Sequence, residues 1–266
     1  MNRDGSAPKA DRRGVAVSSD GRESVLVRTG ERVVTVVLNR PDRHNAMSTE
    51  MLGRLADVLA RLAAPAPESD EAPRCLVLTG AGPSFSSGAD TREPDWRDLS
   101  RRAVRRARFR SVLSTLHHLP LPTVAAVEGH ALGGGLEVAL ACDLVIAAEG
   151  ARFGLPELGV GAIPGGGGVH SLLRRVGRGV AADMLLTGAR LPAARLAELG
   201  GVERLTADGE ALPTALELAR ALARTDSALL SAATRLLRDS GHLDRATALG
   251  VEDGYWWGAA VAARDV

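Results

Sequence analysis

The sequence predicts an α/β fold built on a parallel sheet covered on both faces, and three observations carry that prediction. Short, uniformly apolar runs recur at Cys75–Leu78, Thr123–Val127 and Leu144–Ala148. Segments with helical periodicity lie between them, and glycine-rich turns follow the runs. A strand that is apolar on both sides is buried on both faces, and helical crossovers between such strands make their pairing parallel.

The elements follow in order. Val25–Arg28 and Val33–Asn39 are β-branched runs, and Thr29-Gly30 between them predicts a hairpin. Ser48 offers an N-cap to a helix whose Leu52, Leu55, Leu59 and Leu62 recur on one face. The stretch Pro65–Pro73, with its prolines and acids, ends that helix. Leu136–Cys142 is helical. Beyond about residue 166 the pattern is almost wholly helical, with apolar repeats in Ala215–Ala223 and Ala228–Leu237. Residues 1–23 lack a hydrophobic segment and are expected to be a disordered extension.

Composition narrows the function. The chain has 266 residues, 45% of them apolar, which is ample for a large core. Thirty-three basic residues oppose 32 acidic ones, for a formal charge of +1. That balance disfavours a dedicated nucleic-acid or membrane-surface binder. Seven residues are aromatic, so aliphatic side chains and alanine must build the interior. Cys75 and Cys142 lie in apolar runs without neighbours at metal spacing, and no metal site is expected. Apolar runs are too short to cross a bilayer, and the cytoplasm is the expected compartment.

Candidate chemistry concentrates in three stretches. In Gly129-His130-Ala131-Leu132-Gly133-Gly134-Gly135-Leu136-Glu137, glycines open a helix directly after a buried strand. Free N–H groups at such a start, with the helix dipole behind them, receive a negative oxygen. Glu137 sits in the first turn among aliphatic residues. It either complements the dipole or does chemistry, because a lone buried carboxylate is costly. Glu157, in Phe153-Gly154-Leu155-Pro156-Glu157-Leu158-Gly159, follows the next strand and should emerge on the same side. It is either a solvent-facing turn acid or the partner of Glu137, since two carboxyls in an apolar pocket can serve as base and acid on one water. In Phe85-Ser86-Ser87-Gly88-Ala89-Asp90, small residues permit close backbone approach. The Ala89 N–H can join that of Gly134 as a two-donor oxyanion hole, and Asp90 reads as a local cap.

Other patterns are incomplete. Gly165–Gly168 lacks the Lys-Ser/Thr of a P-loop, and Ser86 and Ser87 lack the frame of a hydrolase nucleophile elbow. No dinucleotide fingerprint follows the first strand. Arg101, Arg102, Arg105, Arg106, Arg108 and Arg110 form either a solvated helix face or a contact for ligand phosphates. His117 and His118 read as structural residues, and so does His130, although it lies beside the glycine turn.

Taken together these stretches, with Leu38-Asn39-Arg40-Pro41, Asn45-Ala46-Met47-Ser48, Ala126–Gly129, Cys142-Asp143 and Ile163–Gly168, resemble the crotonase, or enoyl-CoA hydratase/isomerase, superfamily. The resemblance spans residues 24–205. It implies a spiral of repeated ββα units, with a helical C-terminal region (206–266) that forms a homotrimer or a dimer of trimers. By that resemblance, Ala89 and Gly134 hold the thioester oxygen. The groups around Asn45, Ala46, Ser86, Ser87, Gly88, Ala89, Asp90, Gly133 and Gly134 bind the CoA ester. Glu137 and Glu157 match the two acids of the hydratases. It implies addition of water across the 2,3-double bond of a trans-2-enoyl-CoA. No separate cofactor is needed, because coenzyme A is part of the substrate.

The alternatives are an isomerase, or a biosynthetic dehydratase on a CoA- or carrier-bound acyl group. An RNA-binding role, known in one relative, is disfavoured by the balanced charges of Glu50, Arg54, Asp57 and Arg61. After Glu252 the run Asp253-Gly254-Tyr255-Trp256-Trp257 departs from the superfamily's usual closing helix, so the C-terminal region is expected to be shortened. Tyr255–Trp257 would serve a subunit contact or line the acyl pocket, the contact being the commoner use of such residues.

Overall fold

The computed structural model describes residues 23–64, 72–241 and 243–262. The predicted head extension, Glu23 apart, lies outside them, as do residues 65–71. Nine strands and nine helices are found among the described residues. The strands are β1 (Val25–Gly30), β2 (Val33–Leu38), β3 (Cys75–Gly80), β4 (Thr123–Val127), β5 (His130–Leu132), β6 (Leu144–Ala148), β7 (Arg152–Gly154), β8 (Arg190–Pro192) and β9 (Arg204–Thr206). The helices are α1 (Thr49–Ala63), α2 (Leu99–His117), α3 (Gly134–Ala141), α4 (Gly168–Arg175), α5 (Gly177–Thr187), α6 (Ala193–Glu198), α7 (Ala211–Leu222), α8 (Ser227–Ser240) and α9 (Arg245–Ala262).

The main sheet runs β1-β2-β3-β4-β6-β9, antiparallel only between β1 and β2. Side chains alternate between its faces as a strand requires. Leu76 and Leu78 of β3 join the larger core with α1, α2 and α3, whereas Cys75 and Val77 face the smaller one. Ala211, Ala215, Ala219 and Ala223 form a buried stripe at four-residue spacing, which seats α7 on that second face. The predicted boundary at 205/206 falls inside β9, and α7, which follows it, covers the second sheet face. Helix α7 belongs to the α/β body, because the second sheet face would otherwise be wet. Both cysteines are free and buried in these cores.

Two sequence expectations shift. The hairpin turn is Glu31-Arg32, not Thr29-Gly30, because Gly30 pairs with Val33 inside the ladder. Both turn residues have positive φ (52° and 60°), as a two-residue turn matching the strand twist needs. The region after residue 166 is not purely helical, since β8 and β9, three residues each, return to the two sheets. Asp253–Trp257 lies inside α9, which is 18 residues long and packs on α8. The helix from Ser48 forms as its spacing predicts, with the Ser48 hydroxyl accepting the Met51 N–H at 3.1 Å.

One buried ion pair ties the C-terminal helices to the sheet. Arg238 of α8 donates to both Asp143 oxygens at 2.7 and 2.8 Å, with the side chains 6% and 8% exposed. It also donates to the carbonyls of Leu119 and Leu121, while Asp143 accepts the Thr123 N–H and hydroxyl. Removing one partner leaves the other charge buried and uncompensated, which typically costs about 3–5 kcal/mol. Arg238→Ala is expected to lower unfolding free energy by about that amount in urea titrations. A loss under about 1 kcal/mol would mean that α8 does not depend on this anchor.

Candidate active site

A second layer of short parallel pairings builds the site above the main sheet. Strand β5 pairs in parallel with β7, Ser86 bridges Ala131, and Met47 bridges Ala89. Parallel segments release their C-terminal ends on the same side. Gly133-Gly134, Pro156-Glu157 and Gly88-Ala89 are thereby delivered to one place, as expected for Glu157 and the glycine turn.

The backbone donors follow from the pairing pattern. At the Met47–Ala89 bridge the Gly88 carbonyl accepts from Met47 and the Asp90 N–H donates to the Met47 carbonyl. A parallel bridge engages the groups flanking its central residue, so the Ala89 N–H points the other way. The Gly134 N–H opens α3 and so lacks an intrahelical acceptor. Neither N–H donates to a described residue. They are neighbours: a Cβ placed on Gly88 would lie 3.3 Å from the Gly134 nitrogen and 2.7 Å from the Leu132 carbonyl oxygen. With φ of +92° at Gly88 as well, only glycine fits there.

Glu137 is 4% exposed on α3. Its Oε1 accepts the N–H groups of Gly166 and Gly168 at 2.7 and 3.1 Å. Burial pushes its carboxyl upward in pKa, against those backbone donors and the positive charge of Arg106. Glu157 stands on a short 3-10 turn, Pro156–Val160. A Cβ at Gly133 would lie 3.1 Å from its Oε1, and φ at Gly133 is +53°. Burial, with the charge of Glu137 as a smaller cause in the same direction, raises the Glu157 carboxyl to about 7. Its Oε2 is buried with no partner among the described residues. Neither acid is a fully exposed surface group: Glu137 is buried and Glu157 half-buried.

Two cavities meet at Ala89, Gly134 and Glu157. One, of about 370 Å³, opens past Ala46, Ser87, Gly88, Asp90 and Gly133 to a rim carrying Arg43, His44 and Arg92. The other, of about 410 Å³, is walled by Met47, Leu52, Trp96, Phe109 and Ile163 and contains Glu137. A planar acyl group at the junction would present its oxygen to two N–H donors and its chain to the apolar side. The carboxyl proton of Glu157 and the carboxylate of Glu137 would flank the chain.

Two residues expected to contact CoA do something else. The Asn45 side chain donates to the Ala81 and Ser84 carbonyls and accepts the Arg40 N–H, and it is wholly buried. Ser86, also wholly buried, donates to the Asn45 carbonyl and accepts the Gly88 N–H. Neither lines the first cavity; together they shape the loop that presents Gly88 and Ala89. Asp90 accepts the Arg92 N–H, the local cap expected of it, and forms an ion pair with Arg40 at 2.8 Å.

None of the six clustered arginines lines the first cavity. Arg105 is buried and bound to Glu93 at 2.6 Å and to the Met47 carbonyl, while Arg102 lies 4.9 Å over the Trp96 ring. Arg102, Arg105 and Arg106 line the apolar cavity instead. His44 and His130 face each other with ring centroids 6.3 Å apart, and His130 does not reach either cavity. The donors to Glu137 were missed in the sequence. Gly165–Gly168 after Pro164, incomplete as a phosphate loop and part of the family resemblance, gives its N–H groups to a carboxylate of the chain itself.

The sequence as a whole matches known proteins along most of its length. The family model for enoyl-CoA hydratase/isomerase matches residues 28–254. The chain is 39% identical over 223 residues to the enoyl-CoA hydratase/isomerase-named YngF of Bacillus subtilis, covering 84% of each chain. It is 37% identical over 216 residues to the 2,3-dehydroadipyl-CoA hydratase of Escherichia coli, covering 81% of this chain and 82% of that one. Among solved structures, an enoyl-CoA hydratase from Bacillus anthracis superposes with a TM-score of 0.83 at 32% identity, over 89% of this chain and 90% of the other. Pseudomonas aeruginosa DspI superposes with a TM-score of 0.84 at 31% identity, over 93% and 99%. The architecture is the crotonase fold, and the chain belongs to the enoyl-CoA hydratase/isomerase family.

Proposed function

We propose that this enzyme hydrates the 2,3-double bond of an enoyl-CoA thioester. The observation that carries the reading is the buried Glu137 and the half-buried Glu157 in one enclosure beside the free N–H groups of Ala89 and Gly134. The thioester oxygen sits at the two donors, the CoA portion leaves through the cavity rimmed by Arg43 and Arg92, and the acyl chain enters the apolar one. Attack at the β-carbon moves negative charge onto the thioester oxygen, where preorganised N–H groups stabilise it. Glu137, whose upward shift is opposed by backbone donors and Arg106, takes the proton of the attacking water. Glu157, with its carboxyl raised to about 7, gives a proton to the α-carbon. An isomerase needs only to shuttle one proton between two carbons, and a second acid in the same enclosure suits water addition better.

Crotonyl-CoA hydration, followed by loss of absorbance of the conjugated thioester, tests the reading. Glu137→Gln and Glu157→Gln are each expected to lower kcat by roughly 10²–10⁴-fold, the usual range for general acid–base groups. If Glu137→Gln hydrates at the original rate, the two-acid hydration reading is wrong; if the unaltered enzyme moves the double bond without adding water, it is an isomerase. The pH profile follows from the sign of the Glu157 shift. Its acid form is required, so kcat/KM is expected to fall above pH about 7, and this limb should vanish in Glu157→Gln. Stability obeys the same sign. The folded state binds the extra proton between the usual 4.5 and about 7, so Glu157 costs stability as pH rises through that window. The gain in Tm from Glu157→Gln should grow across that window and level off above it.

The family resemblance also supports assembly as a homotrimer or a dimer of trimers. Trp256 and Trp257 on α9, 63% and 62% exposed and stacked edge to face at 4.8 Å, suit a contact between copies. Light scattering should return a multiple of three chains, and Trp256→Ser with Trp257→Ser should shift it toward the 27.7 kDa monomer. A single-chain mass for the unaltered protein would dismiss this assembly.

A further inference from the structure

The apolar cavity is not closed behind the two acids. Arg106, Glu137 and Gly165 are shared with a larger chamber of about 1150 Å³, which continues along α2 toward α4 and α8. The character of the walls changes at this junction. On the near side stand Met47, Leu52, Phe109 and Ile163, with Arg102 turned to the Trp96 ring and Arg105 neutralised by Glu93. On the far side the chamber is rich in arginine, and the acids lining it are Glu137 and Asp143.

Several of these cations are already neutralised. Asp143 is consumed by Arg238 at 2.7 Å, and Arg175 is held by Glu203 at 2.7 Å. Arg106 and Arg110 have no carboxylate in contact among the described residues. Arg106 stands at the junction itself: a Cβ on Gly165 would fall 3.3 Å from its Nε. A purely hydrocarbon chain reaching this point would strip water from a guanidinium and return nothing, which is unfavourable. A carboxylate would instead meet a planar fork of donors that matches it in shape and charge.

We propose that the acyl chain taken by this enzyme ends in a carboxylate, which Arg106 receives at the junction of the two chambers, with Arg110 adding positive potential beyond. The substrate class is then the CoA monothioester of an unsaturated dicarboxylic acid. Cavity chemistry divides the chain accordingly, with methylene groups against Met47, Leu52 and Phe109 and the charged end at Arg106. This inference rests on the acyl-CoA reading of the site.

Saturated thioesters test it independently of the reaction catalysed. Succinyl-, adipyl- and suberyl-CoA are each compared by calorimetry with butyryl-, hexanoyl- and octanoyl-CoA, partners equal in chain length that lack the terminal carboxylate. In at least one pair the carboxylate ligand is expected to bind 10-fold or more tightly, with the ratio shrinking as salt is raised. Arg106→Gln should bring that ratio close to one, and Arg106→Lys, which keeps charge but loses the fork, should retain part of it. The ratio in the unaltered enzyme needs no variant to be informative. Equal binding in every pair, tighter binding of the neutral partners, or a ratio that survives Arg106→Gln overturns the proposal while leaving hydration intact. If no thioester binds at all, the acyl-CoA reading falls and takes this one with it. Preferred carboxylate binding without hydration of the matching enoyl thioesters supports the proposal and overturns only the hydratase assignment.

Discussion

Two carboxyl groups confined in one apolar enclosure cannot both be charged at small cost, and the rest of the site is arranged around that constraint. Burial alone pushes both upward in pKa, which would leave two neutral acids and no base. The chain breaks the symmetry with donors. Glu137 accepts two N–H groups from the glycine run and feels the charge of Arg106, whereas Glu157 is left with an unpartnered buried oxygen. The donors therefore oppose the upward shift at Glu137, while Glu157 rises to about 7.

That dependence explains why the site needs a parallel architecture. A cationic side chain would meet the same carboxylate by bringing a full charge into the enclosure, whereas a backbone N–H brings only a dipole. The donors to Glu137 come from the Gly165–Gly168 turn. The Met47–Ala89 and Ser86–Ala131 bridges and the β5–β7 pair bring the Ala89 and Gly134 N–H groups to the same place. Asn45 and Ser86 act one layer below, fixing the loop whose Ala89 N–H must face the cavity. Their role is positional, although their type and location resemble those of ligand contacts.

Much of this was legible in the sequence because apolar periodicity and glycine placement act locally. The strands at 75, 123 and 144, the helix capped by Ser48, and the convergence of Glu137 with Glu157 all follow from short-range pattern and the geometry of parallel strands. What was not legible depends on long-range pairing. The hairpin turn moved to Glu31-Arg32 because strand register, set by the buried alternation of β2, outweighed the turn preference of Gly30. The Arg238–Asp143 anchor joins residues 95 apart, and no local pattern announces it. Asn45 was read as a ligand contact since its motif matched, but satisfying its own polar atoms needs Ala81 and Ser84, which only the fold brings near.

The arginine cluster shows how the same residue type divides by environment once the fold is known. Six arginines within ten positions of α2 are indistinguishable as sequence, and either a solvated face or a phosphate contact accounts for them. The helix then assigns them differently. Arg105 turns inward and is neutralised by Glu93, so it holds the Met47–Ala89 bridge in place and carries no free charge. Arg106, one position on, turns toward the acids without a carboxylate in contact, and there its charge bears on both Glu137 and whatever enters the apolar cavity. The single rotation of 100° between neighbouring helix positions thus separates a buried structural arginine from an exposed one at the cavity junction that can select a substrate.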